Sequence, residues 1–214
     1  MKTLVRGIGI NDSDTPVFLR LGNGKVWQDP LYRTWSNMLT RCTTTEKAYS
    51  YEYAVNHNHT YLKTTVCEDW LLYSRFRDWC LERNWEGNHL DKDLLGESLL
   101  YSPDTCVFLP SVINSMLTSS RVRRVGGLLG VGFSCNKYIT RVVCEHKEFV
   151  PLKTFNTEME AHNYFREGKI KVIKYLAEKY LYTGEICINA YIGLMNKISR
   201  IQSEIDTGIP TIRF

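Results

Sequence analysis

The spacing of apolar residues changes along the chain, and the changes mark out its elements. Leu21-Gly22-Asn23-Gly24-Lys25-Val26 sets Asn-Gly between apolar residues, the signature of a hairpin. Leu31, Trp35, Met38, Leu39 and Cys42 then recur at helical spacing, and Asp29-Pro30 opens that helix, with Pro30 suited to the first turn. A second helical pattern starts at Val66-Cys67-Glu68-Asp69-Trp70. It runs through Tyr73, Phe76 or Arg77, and Cys80 or Leu81, with Trp79 and Trp85 alongside, and ends at Asn84, Gly87 and Asn88. Its rings read as core, because a stacking platform needs exposed rings.

From His89 the pattern shortens. His89-Leu90-Asp91-Lys92-Asp93 ends a strand-like run on one imidazole and two carboxylates, and a turn follows through Gly96 and Glu97. Tyr101-Ser102-Pro103-Asp104-Thr105-Cys106 is a turn, Val107-Phe108-Leu109-Pro110 a short apolar strand, and Ile113-Asn114 the start of a helix. Later, Val131–Phe133, Lys137–Cys144 and Glu148–Leu152 read as three strands separated by turns at Ser134–Asn136 and Glu145–Lys147. Thr157-x-x-Glu160 is a capping box. The helix it opens carries Ala161, Tyr164, Phe165, Val172, Tyr175, Leu176 and Tyr180 along one face. Residues 185–205 predict a last amphipathic helix whose stripe of Ile188, Ile192, Met195, Ile198 and Ile201 reads as packing. The class is therefore α+β.

Composition narrows the setting. At 214 residues the chain can hold one large domain or two small ones, and its five Trp and thirteen Tyr can fill a core. A net charge of +4 permits a nucleic-acid partner without requiring one. Seven Cys, odd in number and without a Cys-x-x-Cys pair, argue against a disulfide framework or a zinc knuckle and for reduced thiols. The first six residues are too short and too soon polar for a signal peptide, and no apolar run approaches the roughly 20 residues of a membrane span, so a soluble intracellular protein with no membrane partner is expected.

The remaining polar stretches hold few candidates. Gly7 and Gly9 precede no Gly-Lys-Ser/Thr, so they read as a turn and not a phosphate loop. Residues 43–65 read as a loop or extended arm. His57-x-His59 lies there without a neighbouring carboxylate or Cys, which leaves metal ligation the weaker reading. Ser119–Gly127 is small and basic. It suggests a linker over 119–130 between an N-terminal region (1–118) and a C-terminal module (131–214), with Arg121, Arg123 and Arg124 placed for phosphates or simply solvated. Arg41 near the end of the first helix has the same two readings.

The stretch His89–Asn114 resembles the HNH (ββα-metal) endonucleases, and in particular the phage-borne homing-endonuclease-like proteins that pair a Leu-Asp-Lys-Asp run with Tyr-Ser-Pro-x-Thr-Cys. The order Trp35…Met38…Arg41-Cys42, Val66-Cys67-x-x-Trp70, Trp79 extends the likeness over most of residues 7–118. The resemblance implies a ββα-metal core with flanking helices, followed by a small module of three strands and a helix like that of plant Apetala-type transcription factors. It also implies double-stranded DNA as partner, contacted by Lys137, Arg141 and Lys147 on the sheet and by Arg41, Lys92, Arg121, Arg123 and Arg124 elsewhere. The setting would be the cytoplasm of an infected bacterium.

For the hydrolytic site the resemblance implies His89, Asp91 and Asn114 as catalytic residues and Asp91 and Asp93 as ligands of Mg²⁺ or a similar ion. A neutral imidazole can take a proton from water, and a divalent cation can neutralise the developing phosphoryl charge. Two registers compete. In one, His89-Leu90-Asp91 matches the His-Ile-Asp of active members and His89 is the base. In the other, Leu90-Asp91-Lys92 matches Leu-Asp-His, and Lys92 stands where the base belongs. Thr105 and Thr118 occupy places where active members carry Asn or His. A DNA-binding protein with an eroded site is thus the main alternative, and a host-interaction protein without DNA binding the second.

Overall fold

The structure is a computed structural model that describes residues 4–43, 63–96, 98–118, 127–145 and 147–214. The chain is α+β, as expected. It divides into two compact units: residues up to Glu86 together with Leu90–Val107, and Gly87–His89 together with Phe108–Phe214. His57, His59, Arg121, Arg123 and Arg124 lie outside the described residues.

In the first unit, strands β1 (Phe18–Arg20) and β2 (Val26–Gln28) pair antiparallel across the Asn23-Gly24 turn. Gly24 has φ 77, and the Asn23 side chain accepts from the Lys25 N–H at 3.0 Å, which is why this dipeptide makes the turn. Helix α1 (Pro30–Cys42) starts where Asp29 Oδ1 accepts from the N–H groups of Leu31 (2.8 Å) and Tyr32 (3.0 Å). Its apolar stripe is buried: Trp35 and Leu39 are fully enclosed, and the Trp35 ring lies 5.4 Å from Tyr73 and 5.5 Å from Tyr32. Trp35 Nε1–H donates to the Trp70 carbonyl at 2.7 Å, so the indole is both packed and satisfied.

The second helical pattern begins later than its periodicity predicts. Thr65–Val66 forms β3, paired parallel to β5 (Leu100–Tyr101). A 3-10 turn over Asp69–Leu71 follows, and α2 spans Tyr73–Leu81. The β-branched pair at 65–66 suits a strand, and the 3-10 turn carries Trp70 into the core without a helix. The α2 N-terminus has no local cap. Asp12 supplies one from a distance, accepting from the Ser74 N–H (2.8 Å) and the Ser74 hydroxyl (2.6 Å).

Strands β4 (His89–Asp91) and β6 (Val107–Leu109) form a two-stranded sheet, and α3 (Ser111–Thr118) follows β6 directly. The division between the units passes through both strands, so it falls before the basic segment at 119–130. Helix α3 groups with the second unit, where Lys169 Nζ donates to the Met116 carbonyl near its C-terminal end at 2.6 Å.

The second unit is an antiparallel meander, β7 (Gly132–Ser134), β8 (Lys137–Cys144) and β9 (Lys147–Phe155), packed on α4 (Glu158–Tyr182), with α5 (Ile188–Asp206) packed on α4. Cys135 (φ 49) and Asn136 (φ 58) form a two-residue hairpin turn of the primed kind. The capping box at Thr157 is present: its hydroxyl accepts from the Glu160 N–H, and Glu160 accepts from the Thr157 N–H at 3.0 Å. Gly168 lies mid-helix because a Cβ there would meet Val142 Cγ2 at 2.7 Å and Val150 Cγ2 at 3.0 Å. On α5 the buried face is Ala190, Gly193, Leu194 and Ile201, while Ile188 and Ile192 are exposed. The branched stripe is thus partly displaced by small residues that let the helices approach.

The C-terminal strap, residues 209–214, is held by polar groups buried on α4. Arg166 Nη1 donates to the Ile209 carbonyl at 2.6 Å. The Thr211 N–H donates to His162 Nε2 at 3.1 Å, so His162 Nδ1 carries the proton and donates to the Leu129 carbonyl at 2.9 Å. Burial lowers the His162 pKa, Arg166 lowers it further, and the bond to Leu129 opposes this. The neutral imidazole therefore contributes stability in full above its unfolded pKa of about 6.5, and that stability is lost as pH falls through the lower folded value. Urea unfolding at pH 7.5 and pH 5 is expected to show the protein weaker at pH 5, with the difference shrinking in His162→Asn. An equal pH effect in the variant would place the titration elsewhere.

Candidate functional site

The residues between β4 and β6 show what the Leu-Asp-Lys-Asp and Ser-Pro-Asp-Thr runs do locally. Asp91 is half-buried at the end of β4, and its Oδ1 accepts from the N–H groups of Asp93 (3.0 Å) and Leu94 (2.8 Å). This aspartate folds the turn that follows the strand. Lys92, placed by sequence among the DNA contacts, is only 2% exposed. Its ammonium donates to Asp93 Oδ1 at 2.5 Å and to the Ser98 carbonyl at 3.1 Å, and lies 5.9 Å from the Tyr101 ring. That position corrects the sequence expectation: a charge enclosed and neutralised inside the first unit does not reach a phosphate. Burying an ammonium without such partners would be costly, which explains why the acid follows it directly in sequence.

Tyr101 continues the cluster. It is buried, its hydroxyl accepts from Arg41 Nη1 at 3.1 Å, and Arg41 itself is exposed at the end of α1. Periodicity could not link Arg41 to the loop, since the connection spans sixty positions. Thr105 is a brace. Its hydroxyl donates to the Leu100 carbonyl at 2.6 Å and accepts from the Ser102 N–H at 3.1 Å, which closes the Ser-Pro-Asp-Thr turn. The two thiols here, Cys42 half-buried and Cys106 buried, are poor nucleophiles. Burial pushes Cys42 up to about 12 against the pull of Arg41 and Lys92, and pushes Cys106 up to about 12 against hydrogen bonds from Ser102 and Thr105.

The other candidates lie in the second unit. His89 is exposed at the first position of β4, and Asn114 is half-buried on α3, its N–H bonded to the Pro110 carbonyl in the first turn. His89 and Asn114 thus belong to one unit, and Asp91 and Asp93 to the other. On the meander, strand alternation separates two faces. Thr140, Val142 and Cys144 are buried toward α4, so Lys137, Ile139, Arg141 and Val143 occupy the open face. Lys137 donates to the Asn156 side chain and Arg141 is exposed. Lys147 stands opposite Cys144 in register.

The implied divalent ion finds no ready donor set. Asp91 braces its own turn, Asp93 is ion-paired to Lys92, and among the described residues no group of three or more His, Cys, Asp or Glu is arranged to hold a metal. Thr105, already bonded within its turn, is a poor ligand. As they stand, these residues do not fit the ion. Among the described residues no helix is long and apolar enough to cross a membrane. Comparison with known proteins finds no matching family model, no matching curated protein and no matching solved structure.

Proposed function

We propose that the protein binds double-stranded DNA through the open face of its C-terminal sheet, on a frame like that of the phage HNH homing endonucleases but without their hydrolytic chemistry. The observation that carries this reading is the pairing of a three-stranded antiparallel meander with a long helix on one face, which leaves Lys137 and Arg141 together on the other. A two- or three-stranded surface of that width fits the major groove, with cations reaching phosphates and base edges. The loss of hydrolysis is supported by the occupation of Asp91, Lys92, Asp93 and Thr105 in local structure.

A nicking reading with Mg²⁺ is favoured by one observation, the exposure of His89 at the start of β4. One experiment separates the two. The protein is incubated with supercoiled plasmid and Mg²⁺ or Mn²⁺, and duplex retention is measured alongside for the native chain and for Lys137→Gln/Arg141→Gln. Retention without nicking, weakened in the double variant, is the expected result. Metal-dependent nicking abolished by His89→Ala would establish the hydrolytic reading instead.

A further inference from the structure

The first unit carries a second surface that the sheet does not account for. Every residue from Phe18 to Trp27 is exposed, including Phe18 (50%), Leu19 (47%), Leu21 (45%), Val26 (58%) and Trp27 (41%). A ribbon of two three-residue strands is too small to be stable by itself, so its apolar surface is not explained by a core of its own. Its two faces differ. Phe18 meets the Tyr32 ring of α1 edge-on at 5.3 Å, so the Phe18 end of one face lies by the helix, while Arg20 and Val26, further along that face, stay exposed. Alternation then puts Leu19, Leu21, Lys25 and Trp27 on the outer face, with Leu19 and Trp27 directly paired across the strands.

Charge decides the occupant. Between Asp14 and Asp29 the chain holds Arg20 and Lys25 and no acid, and neither cation has an ion-pair partner among the described residues. A second copy docking here would meet the same patch about a two-fold axis and bring like charges together. A polyanion meets opposite charge. A two-stranded ribbon also has the width of a DNA groove, and an exposed indole beside an aliphatic side chain can contact thymine methyl groups or wedge against a base step.

We infer that the β1–β2 ribbon is a second nucleic-acid contact, entering a groove of duplex DNA with Leu19 and Trp27 toward the bases and Arg20 and Lys25 at the phosphates. The inference rests on the DNA-binding reading above and adds a groove contact separate from the sheet. It is tested on the full chain with a fluorescein-labelled duplex of random sequence, titrated across salt concentrations. Arg20→Gln/Lys25→Gln is expected to bind more weakly and to flatten the slope of log Kobs against log[salt] by about 2, one unit for each lost phosphate contact. Binding is also expected to quench tryptophan emission, and Trp27→Phe to lose most of that quench, because Trp27 is the exposed indole of the five, Trp35, Trp70 and Trp79 being buried and Trp85 half-buried. If the native chain binds but both variants match it in slope and quench, the ribbon assignment is overturned while the sheet reading stands. If the native chain fails to bind at low salt, the parent reading is what fails. If it sediments as a dimer that Leu19→Ser converts to monomer, the ribbon is a self-association surface and the assignment is likewise overturned.

Discussion

Trp35→Ala is expected to destabilise the first unit by about 3–5 kcal/mol, the range for deleting a fully buried large aromatic. Two effects add. The indole packs against Tyr32 and Tyr73, and Leu39 is enclosed beside it on α1, so its removal leaves a void bounded by rings that have few ways to collapse. Its Nε1–H also satisfies the Trp70 carbonyl, which becomes a buried acceptor without that donor. Trp35→Phe separates the terms. It keeps most of the packing and loses the donor, and is expected to cost about 1–2 kcal/mol. Gly9 belongs to the same account, because a Cβ there would fall 2.3 Å from Leu39 Cδ1 and 2.7 Å from Trp35 Cζ2. Urea unfolding followed by near-ultraviolet circular dichroism measures both substitutions. An alanine variant within about 1 kcal/mol of the native chain, far below that range, would mean that the ring cluster is not the centre of this unit.

Gly130→Ala is expected to cost the second unit about 2–5 kcal/mol. Gly130 has φ 74, which charges an L-residue roughly 1–2 kcal/mol. The added Cβ would also lie 2.3–2.4 Å from the Phe165 ring, and overpacking of that kind costs about 1–3 kcal/mol. The site is intolerant because the turn is tied on both sides. The Gly130 carbonyl accepts from the Thr140 hydroxyl of β8 at 2.7 Å, and the neighbouring Leu129 carbonyl accepts from His162 of α4. Phe165 in turn packs on Phe214 at 5.8 Å. A shift of its ring should therefore loosen the C-terminal strap as well, which faster amide exchange at Thr211 would report. An unchanged melting temperature would show that the turn can relax.

Features fixed by neighbouring residues were legible in the sequence. Asn23-Gly24 makes its turn, Asp29-Pro30 its helix start and Thr157-x-x-Glu160 its capping box, because each requires only residues within four positions. Features fixed by distant partners were not. The start of α2 depends on Asp12, sixty-two positions away, and on a strand at 65–66 that exists by pairing with 100–101. The apolar residues alone predict the α4 face, yet His162, Arg166 and Lys169 are buried on that helix, each holding a backbone group of another segment. Burial also lowers the Lys169 pKa to about 8, an environment that periodicity does not reveal. The candidate site divides in the same way. The strand carrying His89 and the helix carrying Asn114 could be placed from pattern. The use of Asp91 and Thr105 as turn braces, and the enclosure of Lys92 against Tyr101, follow only from the folded backbone.

We propose that this chain grips duplex DNA through cations on the open face of its C-terminal sheet. The most direct test of this is the affinity of the intact protein for a labelled duplex, measured from low to physiological ionic strength. Binding is expected to weaken linearly in log[salt], with a slope that falls by about 2 when Lys137 and Arg141 are replaced by Gln. Binding independent of salt, or a slope unmoved by the double substitution, would contradict it.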